Sequence, residues 1–179
     1  MIFKKAALVM ALAAGTVSMA SMAATVTPTT GKIEFKGELV NSACGLAPNS
    51  SPVEVDFGQI PTSQLKDQQR AGSVQKNIEL QDCDTTVAQH ATVTYNPTTV
   101  DVSDATLAAF TSGSAKGAGI GLVDNGNQDV TWGQKSAPVN LTDGTNTIPF
   151  VAYLKADSAS AAVTPGDFVS TINFQIDYQ

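Results

Sequence analysis

The chain has 179 residues, 15% of them charged, with 16 acidic against 10 basic side chains and a net charge of −6. An acidic surface repels phosphate backbones, which excludes nucleic acid as a natural partner. One histidine and two cysteines leave little material for metal binding or acid–base catalysis.

Residues 1–23 read as a secretory signal. Lys4 and Lys5 form a charged start, residues 6–17 are apolar but too short for a comfortable bilayer span, and Ser21-Met22-Ala23 offers small residues for cleavage. Cleavage is expected after Ala23, with Ala20 as the alternative. The mature chain would keep 156 residues and lose two lysines, for a net charge near −8. That length suits one domain with a real core. No later apolar run is long enough to span a bilayer as a helix, so an exported, soluble protein is expected.

Residues 24–30 are Thr-rich, uncharged and β-prone. They run without a break into Gly31–Val40, where Ile33 and Phe35 alternate with Lys32, Glu34 and Lys36. Fully extended, residues 24–35 reach on the order of 40 Å, more than an edge strand of a small sandwich needs. Val53–Phe57 alternates around Glu54 and Asp56. Val74–Leu80, Ala91–Tyr95, Gly119–Val123, Asp129–Trp132 and Ile148–Leu154 are further strands. Asn125-Gly126 predicts a type I′ hairpin turn, and Asn96-Pro97 and Asp143-Gly144 predict two more turns. Asp104–Phe110 predicts one short helical turn capped by Asp104. The last segment, Phe168–Gln179, follows a Pro165-Gly166 turn. Phe168, Ile172, Phe174, Ile176 and Tyr178 alternate there with Thr171, Asn173, Gln175 and Asp177, the period-two pattern of a half-buried strand. This set predicts an all-β sandwich of two antiparallel sheets. A long alternating strand of this kind is also an edge on which another chain can dock.

Cys44 and Cys83 lie 39 positions apart. In an exported chain an even cysteine count argues for a disulfide, with free thiols or half a metal site as competitors. Closing such a loop stabilises the fold by roughly 4 kcal/mol on the chain-entropy model.

Sites for chemistry are sparse. His90 sits at a strand entrance and reads as structural. The glycines of Lys116–Gly121 lack the P-loop ending and the Rossmann spacing, so close packing is their expected role. Asp82 and Asp84 read as solvated loop, with weak cation binding as the alternative. Trp132 reads as core rather than a sugar platform. Asn49-Ser-Ser51 and Asn140-Leu-Thr142 match a glycosylation pattern that is common by chance. No nucleophile–base pair is present, no cofactor is expected, and a secreted hydrolase is disfavoured.

Four segments together resemble chaperone–usher pilins. They are Gly31-Lys-Ile-Glu-Phe-Lys-Gly-Glu-Leu-Val-Asn-Ser-Ala-Cys44, Leu80-Gln-Asp-Cys-Asp84, Asp143-Gly-Thr-Asn-Thr-Ile-Pro-Phe150, and a C-terminus with Gly166 fourteenth from the end and Tyr178 penultimate. The resemblance covers the mature chain and is nearest to major subunits of type 1 fimbriae. It implies an incomplete immunoglobulin-like sandwich completed by a donor strand from a neighbouring subunit. A hydrophobic groove would lie between the first strand and the C-terminal one.

On that resemblance residues 24–36 are the donor extension and 37–179 the pilin domain. Thr27, Thr29, Gly31, Ile33 and Phe35 would face the groove, with Gly31 where the groove is shallow. Gly166, Phe168, Ile172, Phe174, Ile176, Tyr178 and Gln179 would form the groove and chaperone-binding strand. The implied partners are identical subunits joined head to tail, a periplasmic chaperone, an outer-membrane usher, and minor pilins or a tip adhesin. The implied location is a fimbria on a Gram-negative cell surface, reached through the periplasm. The reading is a major structural subunit supporting adhesion. A minor or adaptor pilin, or a single-domain adhesin for host glycans, is the alternative.

Overall fold

The computed structural model describes residues 28–158 and 162–179. The expectations for the signal segment and for Thr27 lie outside the described residues. The chain divides between Glu38 and Leu39 into two compact units. In the first, residues 28–38 carry no helix or strand. Ile33 and Phe35 are 79% and 89% exposed, and Glu34 pairs with Lys36 at 3.3 Å. The strand expected over Lys32–Val40 is therefore absent. Its alternation is real, but ladder hydrogen bonds hold a strand in place, and no described segment pairs with this one.

The described residues of the second unit carry nine strands: β1 (Gly45–Leu46), β2 (Ala71–Cys83), β3 (His90–Pro97), β4 (Ser112–Gly113), β5 (Ala118–Val123), β6 (Val139–Asn140), β7 (Gly144–Ala156), β8 (Phe168–Val169) and β9 (Ile172–Tyr178). They form one sheet in the order β1-β2-β7-β5, a second in the order β6-β3-β9, and a short β4-β8 pair. All named pairings are antiparallel. The backbone of the first sheet is the β2–β7 ladder, in which Ile78 lies opposite Ile148. Both are almost fully buried, as is Val93 of the second sheet. Tyr95 on β3 and Phe150 on β7 close the space between the sheets, with ring centroids 6.2 Å apart. Pro149 sits in β7 opposite Asn77, two positions before Val151, where the stretch that pairs with β5 begins. Its missing N–H costs no ladder bond on that side.

The alternating segments at 74–80, 91–95, 119–123 and 148–154 all fall inside strands. Other expectations change form. Asp129–Trp132 contributes only a single bridge, from Asp129 to Val123. Asn96 and Pro97 end β3 instead of forming a turn, because both pair with β9. The Asn125-Gly126 hairpin forms, yet positive φ falls on Asn127, at 58°. The N–H of Asn127 donates to the Asp124 carbonyl and that of Asp124 to the Gln128 carbonyl, which is the three-residue loop with a left-handed third position. At residues 104–107 there is one hydrogen-bonded turn and no helix. Asp104 caps that turn, accepting from the Thr106 N–H at 3.0 Å. At Pro165-Gly166 the chain bends without a turn bond.

Cys44 and Cys83 are joined by a disulfide that spans 39 positions. It ties the segment before β1 to the end of β2, and the Asp84 N–H donates to Ala43 beside it. The glycines of β5 serve close packing as expected. A side chain at Gly119 would meet the Ala108 carbonyl at 2.8 Å, and one at Gly121 would run into the Tyr153 ring.

An apolar groove between an open strand edge and an extended segment

Residues 52–60 run past the core with Val53, Val55, Phe57 and Ile60 half-buried against it and the intervening residues exposed. This is strand-like alternation without a strand. Among the described residues none of 52–60 makes a backbone-to-backbone hydrogen bond; Gly58 N–H donates instead to the Asp56 carboxylate at 2.8 Å.

Facing this segment is β9, which among the described residues pairs with β3 alone and on one side only. The phase of that ladder shows where its free groups point. Gln179 and His90 exchange N–H donors at 2.9 Å each way, and Thr98 N–H donates to Thr171. In an antiparallel pair such bonded positions alternate with unbonded ones. Asn173, Gln175 and Asp177 therefore bond to β3. The N–H and C=O groups of Ile172, Phe174, Ile176 and Tyr178 point to the open edge. These four also carry half-buried side chains packed against the core.

Between the two edges lies a groove of about 320 Å³. Val53, Val55 and Phe57 form one wall, and Phe168, Ile172 and Phe174 form the other. Its floor is the sandwich core, including Ile78, Tyr95, Leu122 and Phe150. The walls meet where Phe57 and Phe168 approach to 6.0 Å between centroids, and Phe110 stacks on Phe168 at 4.5 Å. Beyond that contact a second cavity of about 230 Å³ continues between Ile60, Leu65, Val163 and Gly166. A side chain at Gly166 would strike Ser114 Oγ and come within 2.7 Å of the Ala115 nitrogen.

The electrostatics are mild. Burial pushes the Tyr178 hydroxyl up, and burial with the Asp124 charge pushes Tyr95 well above its usual range. On the outward face a hydrogen bond from Gln175, reinforced by Lys135, holds the Asp177 carboxyl below the usual carboxylate range. Groove and edges offer shape, apolar surface and backbone hydrogen bonds, which is what an extended guest strand needs.

The structure brings Phe168, Ile172 and Phe174 to the groove and Gly166 to its far cavity. Ile176 and Tyr178 continue the same edge but do not line either cavity. The Gln179 main-chain oxygen accepts from Gln89 and His90. Thr29, Gly31, Ile33 and Phe35 belong to the first unit and are exposed. The wall opposite the C-terminal strand is residues 52–60, a role that the alternation of Val53–Phe57 alone did not assign. His90 is exposed and hydrogen-bonded through Nδ1 to Asn140 at 2.9 Å. Trp132 packs against the core.

A family model described as fimbrial protein matches residues 33–179. The chain belongs to the fimbrial protein family. It is 58% identical over 154 residues to a major fimbrial subunit of Proteus mirabilis, covering 86% of this chain and 84% of that one. It is also 37% identical to the type-1 fimbrial protein A chain of Escherichia coli, covering 96% of each. Among solved structures it resembles a subunit of a chaperone–usher pilus studied for rod uncoiling, at a TM-score of 0.74 and 27% identity, over 87% of this chain and 99% of that one. It likewise resembles the P pilus rod subunit PapA, at a TM-score of 0.64 and 25% identity, over 77% of this chain and 100% of that one. The fimbrial chain is thus a structural pilus subunit with an immunoglobulin-like sandwich, and its family is not an enzyme family.

Proposed function

We propose that this protein is the major subunit of a Gram-negative surface fimbria, and that residues 24–36 of one copy complete the groove of the next. One observation carries the reading: an apolar groove lies between two edges whose backbone groups have no backbone partner among the described residues. Such edges are a liability in a free protein and an asset in a polymer. The N-terminal segment has the matching pattern, with Ile33 and Phe35 on one face and charges on the other. Because donor and groove lie at different places on the subunit, the contact is heterologous and does not close, and it builds an open filament. Before assembly the same groove is filled by a periplasmic chaperone, and the outer-membrane usher exchanges that chaperone for the next subunit. Gly166, Tyr178 and Gln179 belong to the chaperone-binding edge in this scheme. Removal of residues 1–23 on export frees the donor.

The test is a gel of material sheared from producing cells, loaded cold and after boiling in acidified detergent. A cold ladder that collapses to one band near the mature mass supports a strand-exchanged homopolymer. A monomer band under both conditions overturns the major-subunit reading.

A further inference from the structure

Residues 99–111 fold back as a hairpin strap, closed by bonds from Asp101 N–H to Leu107 and from Ala109 N–H to Thr99, whose returning arm leads from the outer face of the first sheet to the lip of the groove. We propose that Leu107, Asp104 and Lys155 latch this strap, and that the latch positions Phe168 and so sets how fast the groove releases an inserted strand. The proposal rests on the donor-strand reading of the groove.

The strap is held at two ends. At the outer face Leu107 is fully buried in a notch that glycine makes possible, since a Cβ at Gly119 would lie 2.9 Å from the Leu107 Cβ. Ala108 exchanges backbone bonds with Ile120 at 2.7 and 2.9 Å. Lys155 Nζ donates to Asp104 Oδ2 at 2.8 Å, with side chains only 23% and 15% exposed, the most enclosed ion pair among the described residues. Asp101 accepts from the Ser103 and Asp104 N–H groups and braces the carboxylate's own backbone.

At the lip, Ser170 Oγ donates to the Ala109 carbonyl at 2.7 Å and Thr111 N–H to the Val169 carbonyl at 2.8 Å. Phe110 stacks on Phe168 with planes 19° apart. Only Ala108 and Ala109 separate the buried Leu107 from Phe110. Three steps of extended chain span about 10 Å, too short a reach to absorb a shift by slack. A strap that merely capped the outer face would not need a ring stack on Phe168 and hydrogen bonds to Val169 and Ser170, three successive residues of the groove wall.

The test uses the full mature chain and a labelled synthetic peptide of residues 24–36. Its release is timed in the natural protein, Lys155→Met, Asp104→Asn and the double variant, alongside hydrogen exchange of residues 166–171. Release should accelerate about tenfold in each single variant, the scale of one coupled pair, with no further loss in the double. Exchange at 166–171 should rise while β2 and β7 stay protected. A core variant, Val130→Ala, matched for lost thermal stability, should release at the natural rate. If release follows thermal stability alone, or if exchange at 166–171 is unchanged, the latch is wrong while the groove reading stands. If the natural protein captures no peptide, the groove reading itself falls and the latch with it.

Discussion

Replacing Ile33 by alanine tests the assignment of donor to groove most directly. Ile33 is 79% exposed within its own chain, so nearly all of its apolar surface is available for burial by a partner. The change removes three carbon groups, and at about 0.8 kcal/mol each it forfeits about 2.4 kcal/mol, a loss of roughly fifty-fold in affinity. Backbone ladder bonds to the groove edges are untouched, which confines the loss to side-chain burial. The assay is competition between peptides of residues 24–36 for the mature chain, read by fluorescence anisotropy. In the inserted donor strand Lys32 and Glu34 would point to the opposite face, so Lys32→Ala and Glu34→Ala should change affinity by less than about threefold, because exposed charges contribute little. Equal losses at Ile33, Lys32 and Glu34 would mean that the segment binds without a fixed face. No loss at Ile33 would show that its side chain does not enter the groove.

Gly31→Leu should stop polymerisation while leaving chaperone capture intact; fibres of normal length from this variant would overturn the proposed register. Loss of the disulfide through a Cys44→Ser and Cys83→Ser double variant should lower stability by roughly 4 kcal/mol for a loop spanning 39 positions. A urea midpoint unchanged from the natural protein would contradict this. Tyr178→Ala and deletion of Gln179 should each reduce recovery of the chaperone complex in a pull-down, and unchanged recovery would remove these residues from the binding edge. Hydrogen bonds from Thr85 hold the Asp143 carboxyl below its usual range, and those from Ser114 do the same for Asp167. Groups with depressed folded values stabilise fully above the unfolded value of about 3.9 and lose that contribution as pH falls through the folded value. Unfolding midpoints should therefore stay level from about pH 7 to 5 and drop below about pH 4, with a shallower drop in Asp143→Asn. A drop already complete at about pH 5 would point to other groups.

The sandwich was legible because its strands carry their own period. Val74–Leu80 buries alternate residues, and Ala91–Tyr95 and Ile148–Leu154 do so except that Thr92 and Tyr153 are buried as well; one face of a sheet has no other way to leave water. The same logic made Phe168–Tyr178 readable as a half-buried edge. Turn type was less legible: Asn125-Gly126 favours positive φ at both positions, yet the Asp124 carboxylate accepts from Gly126, Gln128 and Ala137 and fixes a longer loop with the left-handed residue at Asn127. Asp104 behaved similarly, capping a turn too short to become a helix.

By itself the amino-acid order determined which residues are apolar on alternate sides, that two cysteines were available to pair, and that the chain carries an N-terminal segment patterned like a strand. Only the tertiary structure decided that residues 52–60 are the second wall, that the free hydrogen-bonding groups of β9 belong to the residues whose side chains face inward, and that residues 99–111 reach the groove lip. Period two records the face of a strand but not its neighbour. Which edges stay unpaired depends on long-range ladders between residues as far apart as His90 and Gln179, and no local pattern encodes that choice.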